Sequence, residues 1–248
     1  MITMYTGTPG SGKSLYLCHI VFANLKRGVD VICNFPVKFT EKEKQRGLDQ
    51  HFSYWTNSDI SVATLVQAAF DRKYIQSKKE HQCMIIVDEA GGRFNARDFK
   101  VGERMEWIDF LSQHRKMGYD MILVAQSPRM IDLQIRGFVE TEKVFRKLNN
   151  YGPFALLWFP VFVCVEKWYV TKERVGASFF LYHKKWGNRY DSMKLFDGFR
   201  MNLDAVKKDL NINNAKKVDK KPELNKKNEV DNLINDYNKL FNPQKIEK

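Results

Sequence analysis

The order of apolar and polar positions divides the first 126 residues into strands and helices that follow one another in turn. Short runs of apolar and β-branched residues predict four strands, at residues 2–6, 30–35, 83–87 and 120–125. Apolar residues spaced three and four apart predict helices between them, at residues 15–26, 61–77 and 105–116. The strongly charged stretch 40–50 is predicted as a surface helix or loop. This alternation predicts an α/β fold with a doubly wound, mostly parallel sheet and right-handed crossovers.

The pattern changes at residue 138. Residues 138–182 are rich in β-branched and aromatic side chains, and turn signals at 149–153 and at Gly176 divide them. We expect two to four strands here, which either extend the sheet or form a small β-rich lobe. The most apolar stretch, residues 154–165, is interrupted by Pro160 and is shorter than the roughly 20 residues that span a bilayer. A buried strand is the favoured interpretation, and a segment that dips into a membrane is the alternative.

A glycine-rich loop follows the first predicted strand. It matches the pattern G-x-x-x-x-G-K-[ST], in which glycines let main-chain N–H groups close around phosphate oxygens. In this pattern the lysine reaches the β- and γ-phosphates, and the hydroxyl holds Mg²⁺. The helix that follows directs the positive end of its dipole at the same anion. The sequence therefore predicts a site for ATP with Mg²⁺. The predicted binding residues are Gly7, Thr8, Pro9, Gly10, Ser11, Gly12, Lys13, Ser14 and Leu15.

Two carboxylates directly follow the predicted strand at 83–87, in the form of a Walker B motif. Asp88 is placed to support Mg²⁺ together with Ser14, and Glu89 to activate the water that attacks the γ-phosphate. A solvated pair of acids at a strand end is the alternative. The next strand ends at Gln126, which is placed to contact the γ-phosphate or its attacking water. Because a small-molecule kinase has to exclude water, Glu89 favours a hydrolase.

Two arginines are candidates for a contact with the nucleotide of a neighbouring subunit. An arginine supplied in trans stabilises transition-state charge in phosphoryl transfer, and Arg115 and Arg136 are the residues chosen for this role. An ordinary solvated role is the alternative, because surface arginines are abundant. His114 is interpreted as a packing or helix-capping residue, because no second His or Cys stands at metal-ligand spacing from it.

Charge and cysteine content narrow the class of protein. The net charge of +12 favours an acidic partner, either nucleic acid or an anionic membrane surface, and a charge that serves only solubility is the alternative. Four cysteines lie singly among apolar residues and are interpreted as reduced core thiols of a cytosolic protein. They are Cys18, Cys33, Cys83 and Cys164. No signal peptide is predicted, because the first residues already form a strand.

The domain organisation follows from these patterns. We expect a P-loop ATPase domain at residues 1–203, with its core at 1–137 and a β-rich C-terminal extension at 138–203. Residues 204–248 carry 11 Lys against 8 Asp or Glu and little apolar density, which predicts a polar, flexible tail. Only residues 230–241 regain apolar positions at helical spacing, and a short docking helix is predicted there.

Five segments together resemble the Zot (zonular occludens toxin) family. This family comprises the gene I assembly ATPases of filamentous phages, within the FtsK/HerA-like group of motor ATPases. The resemblance covers about residues 1–200, and its most specific part is the block Gln113-His114-Arg115-Lys116-Met117-Gly118-Tyr119-Asp120. The other segments are residues 1–14, 85–90, 124–126 and 131–136.

The resemblance implies a RecA-like ATPase on the cytoplasmic face of the inner membrane of an infected bacterium. It would use ATP to drive assembly and extrusion of virions that carry single-stranded DNA, and we expect it to form a ring-shaped homo-oligomer. Family members commonly carry a transmembrane helix after the ATPase domain. None is evident in this sequence, so we expect a peripheral attachment, through a partner or through residues 230–241. The alternatives are a nucleotide-switched adaptor that binds DNA or virion components and, less favoured, a P-loop kinase.

Overall fold

Eight strands of the computed structural model form one sheet, and the structure describes residues 1–190 apart from residues 96, 98–100, 151–155 and 157. The strands are β1 (Ile2–Thr6), β2 (Asp30–Cys33), β3 (Phe52–Tyr54), β4 (Cys83–Val87), β5 (Tyr119–Ala125), β6 (Thr141–Lys147), β7 (Val161–Trp168) and β8 (Arg174–Leu181). The helices are α1 (Lys13–Lys26), α2 (Glu41–Gln45), α3 (Val62–Asp71), α4 (Tyr74–Ser77), α5 (Ala90–Arg93), α6 (Val101–Gln113), α7 (Leu133–Arg136) and α8 (Lys184–Gly187). Short 3₁₀ turns lie at Leu48–His51, His114–Met117, Pro128–Met130 and Leu148–Asn150.

The strand order is β3-β2-β4-β5-β1-β6-β7-β8. The strands from β3 to β6 are mutually parallel, and β7 and β8 continue the sheet in antiparallel pairing. The predicted α/β class and the mostly parallel sheet are therefore confirmed. Of the two arrangements expected for residues 138–182, the extension of the sheet is the observed one, and its first strand still belongs to the parallel part.

Helices cover both faces of the sheet, because the buried strands are apolar on both sides. In β4, Ile85 and Val87 pack against the layer formed by α3 to α7, whereas Ile86 packs against the layer that contains α1. The first layer contains the largest buried side chain, Trp107, with Phe94 edge-to-face against it at 4.9 Å between ring centroids. All four cysteines are buried and free, as expected of core thiols.

Several predicted boundaries were wrong for local reasons. The second strand ends at Cys33 rather than at residue 35, because the amide of Asn34 bonds to the main chain of Asp88. The helix predicted at 61–77 is broken where Lys73 adopts φ 60°, which separates α3 from α4. The helix predicted at 105–116 is α6, which begins at Val101 and gives way to a 3₁₀ turn at His114.

Two further differences concern strands. The three-residue strand β3 was not predicted, since Phe-Ser-Tyr is too short to show a period. The apolar stretch at 154–165 was predicted as one buried strand, but strand β7 begins only at Val161. Leu156 and Trp158, which precede it, are 89% and 92% exposed.

The remaining predictions on organisation lie outside the described residues. These are the domain boundary at 203, the tail at 204–248 and its helix at 230–241. Within the part of the chain that the structure describes, no helix combines the length and the apolar character needed to cross a bilayer.

Candidate functional site

The glycine-rich loop joins β1 to α1 at the carboxyl edge of the parallel strands. Gly12 adopts φ 90°, and a Cβ added there would lie 2.8 Å from the ring of Phe162. Gly7 is equally confined, since a Cβ on it would lie 2.5 Å from the carbonyl oxygen of Phe145. Strands β6 and β7 therefore close over the loop, and only glycine fits at these two positions.

The lysine of the loop is held by the loop itself. Lys13 Nζ donates hydrogen bonds to the carbonyl oxygens of Gly7 and Thr8, at 2.6 and 3.1 Å. Burial lowers the pKa of Lys13, and the nearby carboxylates of Asp88 and Glu89 act in the opposite direction. The sequence-predicted lysine and both predicted acids are thus brought within electrostatic reach of one another.

The Walker B aspartate is fixed by a residue that the sequence analysis missed. Asn34 Oδ1 accepts the main-chain N–H of Asp88, and Asn34 Nδ2 donates to the carbonyl oxygen of Asp88, both at 2.7 Å. Strand β2 pairs with β4 in a register that sets Cys33 beside Ile86, so the residue after β2 faces the residues after β4. The sequence signal for Asn34 was a polar residue directly after strand β2. Its contact with Asp88 could be identified only once the strand order was known.

The carboxylate of Asp88 is buried, and each of its oxygens accepts one hydrogen bond. Oδ1 accepts the main-chain N–H of Glu89 at 2.9 Å, and Oδ2 accepts the hydroxyl of Tyr190 at 2.7 Å. Ser14 lies beside the same hydroxyl. Burial and the Asp88 carboxylate raise the pKa of Tyr190 more than Ser14 lowers it, so that the hydroxyl keeps its proton and donates a hydrogen bond to Asp88.

A single hydroxyl that reaches both Ser14 and Asp88 shows how close the two predicted metal-supporting side chains are. An alcohol and a carboxylate are oxygen donors of the kind that Mg²⁺ binds through one or two protein ligands and several waters. The described residues include no group of three or more His, Cys, Asp or Glu side chains that forms a metal cage. Ser11 Oγ is buried in the loop and has no hydrogen-bond partner among the described residues. These donors fit a nucleotide-borne Mg²⁺.

Glu89 is the first residue after Asp88 and holds an unusual backbone conformation. Its φ is 50°, in the left-handed region that a glutamate enters at a cost of about 1–2 kcal/mol. Partial burial and the Asp88 carboxylate raise the pKa of Glu89, while Lys13 lowers it. A carboxyl group whose pKa is shifted toward neutrality beside a loop of this kind suits proton transfer.

The other predicted residues occupy two different edges of the sheet. The carbonyl oxygen of Gln126 accepts the N–H of Gly7 at 3.4 Å, which places Gln126 beside the loop. Arg115 lies at the opposite, amino edge, where it pairs with Glu140 at 2.7 Å. Arg136 ends α7 and lies four residues before Glu140, whose N–H bonds to the carbonyl oxygen of Ile2. The structure does not bring either arginine to the chain's own loop, and a contact in trans stays a prediction.

Comparison with known proteins identifies the family. The model of the Zonular occludens toxin (Zot) family matches residues 1–194. The chain belongs to the Zot family. It is 24% identical to the gene 1 protein of Enterobacteria phage I2-2 over 150 residues, which are 60% of this chain and 41% of that protein. This Zot-family chain therefore spans about two fifths of the length of that relative.

The solved structures bear on the fold. A DnaB-like replicative helicase aligns with a TM-score of 0.52 at 9% identity, over 77% of this chain and 57% of that chain. The N-terminal domain of zonular occludens toxin from Neisseria meningitidis aligns with a TM-score of 0.49 at 20% identity, over 77% of this chain and 98% of that chain. The Zot-family chain has the fold of a RecA-like P-loop ATPase, as the sequence predicted.

Proposed function

We propose that this chain is a Mg²⁺-dependent ATPase that energises assembly and extrusion of filamentous phage virions, or export of their single-stranded DNA. The observation that supports the proposal most directly is that the hydroxyl of Tyr190 bonds to Asp88 and lies beside Ser14. The two donors needed at the metal therefore lie close together, at the carboxyl edge where nucleotides bind in open α/β sheets. The likeness to phage gene 1 proteins supports the phage role.

The loop and its lysine bind the phosphates in this proposal. Main-chain N–H groups of the loop and the amino end of α1 face the anion, and Lys13 exchanges the carbonyl oxygens of Gly7 and Thr8 for phosphate oxygens. That exchange costs little, because the ammonium leaves two neutral acceptors for charged ones. When bound, Mg²⁺ supplies further neutralisation of phosphate charge, and Ser14 and Asp88 are the residues that hold it.

Glu89 acts as the general base. Its raised pKa and its position directly after Asp88 let its carboxylate accept the proton of the attacking water. The left-handed backbone at Glu89 fixes where the carboxylate emerges from the strand end. Gln126, beside Gly7, orients the water or reports the loss of the γ-phosphate to the strand that it ends.

Oligomerisation and location complete the proposal. We propose a homo-oligomer, a ring, in which Arg136 or Arg115 of one subunit reaches the nucleotide of its neighbour. The protein would act in the host bacterial cytoplasm, on the cytoplasmic face of the inner membrane, through a partner or a peripheral contact. Its charge of +12 suits phosphates of single-stranded DNA or of lipid headgroups.

The decisive experiment is steady-state ATP hydrolysis per subunit, measured against protein concentration with Mg²⁺ present. We expect a specific rate that rises with concentration, because a neighbour completes the site, and a loss of at least about 100-fold in Lys13→Ala. Lys26→Ala, an exposed lysine at the other end of the same helix, is the matched control and should keep the wild-type rate. A rate that stays near zero at every concentration, with nucleotide bound, would favour the nucleotide-switched adaptor.

The acidic partner can be identified separately. Salt-dependent binding of the purified protein to single-stranded oligonucleotides would support a direct DNA role. Salt-dependent binding to vesicles that contain anionic phospholipid would support a direct membrane contact.

A further inference from the structure

The chain folds back over α1 after the last strand and ends its described part at the Walker B aspartate. We call residues 184–190, which are α8 and the three residues after it, the latch. Its last residue, Tyr190, is separated from Asp88 by 102 positions in the sequence and nevertheless contacts its carboxylate. The path and the end point of this segment require an explanation.

Aromatic contacts seat the latch on α1. The ring of Trp186 lies 5.6 Å from those of His19 and Phe22, measured between centroids. The guanidinium of Arg189 stacks over Phe22 at 4.1 Å from the ring centre. The Tyr190 ring meets Phe35 edge-to-face at 5.0 Å. The latch is thus docked by side chains from α1 and from the loop after β2.

A buried ion pair joins the latch to α2. Arg189 Nη2 lies 2.9 Å from Glu43 Oε1, and the side chains are only 6% and 10% exposed. Burial alone would raise the pKa of Glu43, but hydrogen bonds from Arg189 and Thr40 lower it, so the pair is ionic. Arg189 Nη1 is buried without a partner among the described residues. A buried pair with an unmet donor adds little net stability, because desolvation offsets the attraction. The ion pair therefore fixes where the latch docks more than it strengthens the docking.

The contact at Asp88 is in direct competition with the proposed metal. Oδ1 of Asp88 is already engaged by the N–H of Glu89, so Oδ2 is the oxygen that remains to face Ser14. The Tyr190 hydroxyl donates a hydrogen bond to Oδ2 and lies beside Ser14. It fills the position that joins the two donors, and that position cannot hold a hydroxyl and a hydrated cation together.

We propose that residues 184–190 form a nucleotide-sensing latch, in which Tyr190 closes the metal position between Ser14 and Asp88 until Mg²⁺-nucleotide displaces it. Displacement frees Arg189 and Trp186 from α1 and carries the state of the site to the chain that follows residue 190. The proposal rests on the proposed function, since it requires that Ser14 and Asp88 hold a nucleotide-borne cation. It adds that the cation, and not the nucleotide alone, releases the latch.

Limited digestion with trypsin tests the latch, with cleavage after Arg189 followed by mass spectrometry. Arg189 is buried and ion-paired while the latch is docked, so this bond is cut only after release. A non-hydrolysable ATP analogue with Mg²⁺ should speed cleavage after Arg189 at least fivefold, and the same analogue without Mg²⁺ should not. Equilibrium dialysis measures nucleotide binding in the same samples.

Tyr190→Phe isolates the hydroxyl from the ring. In this variant cleavage after Arg189 should be faster without any nucleotide, and the Mg²⁺ concentration that half-saturates the nucleotide complex should fall about three- to tenfold. Tyr54→Phe, on the edge strand β3, is the matched control and should change neither quantity. A tyrosine that only packs would leave the Mg²⁺ dependence unchanged.

The outcomes separate the two proposals. If Mg²⁺-nucleotide binds and the cleavage rate after Arg189 stays the same, the latch is overturned and the proposed ATPase stands. If no nucleotide binds, both proposals fail. Release by nucleotide without Mg²⁺ would also overturn the latch, because Tyr190 would then not compete with the cation.

Discussion

The two edges of the parallel sheet hold their polar groups in different ways. At the amino edge, Asp120 binds the amino group of Met1 and the ring of His81, and Glu140 binds Arg115 and the N–H of Ile2. At the carboxyl edge, Lys13 donates hydrogen bonds to carbonyl oxygens of its own loop, and Asp88 accepts a hydrogen bond from the hydroxyl of Tyr190.

The difference lies in what a ligand can replace. Each of these charged groups at the amino edge is paired with an opposite charge of the protein itself, so replacing that partner with solvent or a ligand lowers the stability of the fold. At the carboxyl edge, Lys13 and Asp88 meet neutral partners, and phosphate or a cation binds these two groups more strongly than their present partners do. The strained φ of Glu89 and the confined glycines occur at the carboxyl edge as well. The amino edge therefore contributes stability, and the carboxyl edge is built for exchange.

The largest effect expected from this comparison is on turnover, in Glu89→Gln. Removal of the carboxylate removes the proposed proton acceptor, so kcat should fall by about 10³, which is about 4 kcal/mol in the barrier. Nucleotide binding should persist, because the loop is unchanged. The free energy of unfolding should stay equal or rise slightly, since the charged form of Glu89 is disfavoured in the fold.

Three measurements on the same protein check this prediction: steady-state kcat, nucleotide binding and urea denaturation. Glu106→Gln, at an exposed position on α6, is the control and should behave as wild type in all of them. Normal turnover in Glu89→Gln would remove Glu89 from its proposed role.

The next largest expected effect is on stability, in a variant that should unfold more easily but keep its rate of turnover. Asp120→Ala leaves the amino group of Met1 and the His81 ring without their shared partner, in a site where the Asp120 side chain is only 12% exposed. The free energy of unfolding should fall by about 2 kcal/mol. The kcat for ATP should stay within about twofold of wild type, because this edge is remote from the loop.

Urea denaturation with a kcat measurement on each variant checks the Asp120 prediction. Asp49→Ala, an exposed aspartate in the turn at Leu48–His51, is the control for loss of a carboxylate. An unchanged midpoint in Asp120→Ala, or a kcat that drops in parallel with the stability, would contradict the division between the two edges.

The phosphate loop and the Walker B acids were predictable because local backbone requirements dictate their residue types. A loop that wraps an anion needs glycine where φ is positive, as at Gly12, and its lysine and hydroxyl follow at fixed positions. The Asp-Glu pair was found because an apolar strand precedes it. Both signals lie within a few adjacent residues, so neither depended on the arrangement of the sheet.

Asn34 and Tyr190 could not be found in that way. Their contacts with Asp88 span 54 and 102 positions in the sequence. The first depends on β2 lying beside β4, and the second on β8 returning the chain to α1, and apolar periodicity determines neither. The short edge strand β3 was missed for a related reason: it is a strand because it pairs with β2, and its own three residues show no period. Long-range pairing of the sheet therefore set the limit of the sequence analysis.

The smallest expected effect is on the pH dependence of folding stability, whose sign differs between the two edges. Burial would raise the pKa of Glu140, but hydrogen bonds from Arg115 and Ile2 and the nearby amino group of Met1 lower it. A carboxyl group with a lowered pKa stabilises the fold above its unfolded pKa of about 4.3, and this stability is lost as the pH falls through the folded pKa. Glu89, with a raised pKa, acts in the opposite direction, because its ionisation at neutral pH costs stability.

The two glutamine variants at these positions should therefore diverge at neutral pH and converge in acid. At pH 7, Glu140→Gln should unfold at a lower urea concentration than wild type, with a loss of less than about 1 kcal/mol in the free energy of unfolding. Glu89→Gln should unfold at an equal or higher urea concentration than wild type. At pH 3, below the unfolded pKa of glutamate, the deficit of Glu140→Gln should shrink and Glu89→Gln should approach wild type, because a neutral glutamate resembles glutamine. Urea midpoints at the two pH values are the measurement. If Glu140→Gln kept the same deficit at pH 3, shape rather than charge would set the contribution of the amino edge, and the contrast between the two edges would not be electrostatic.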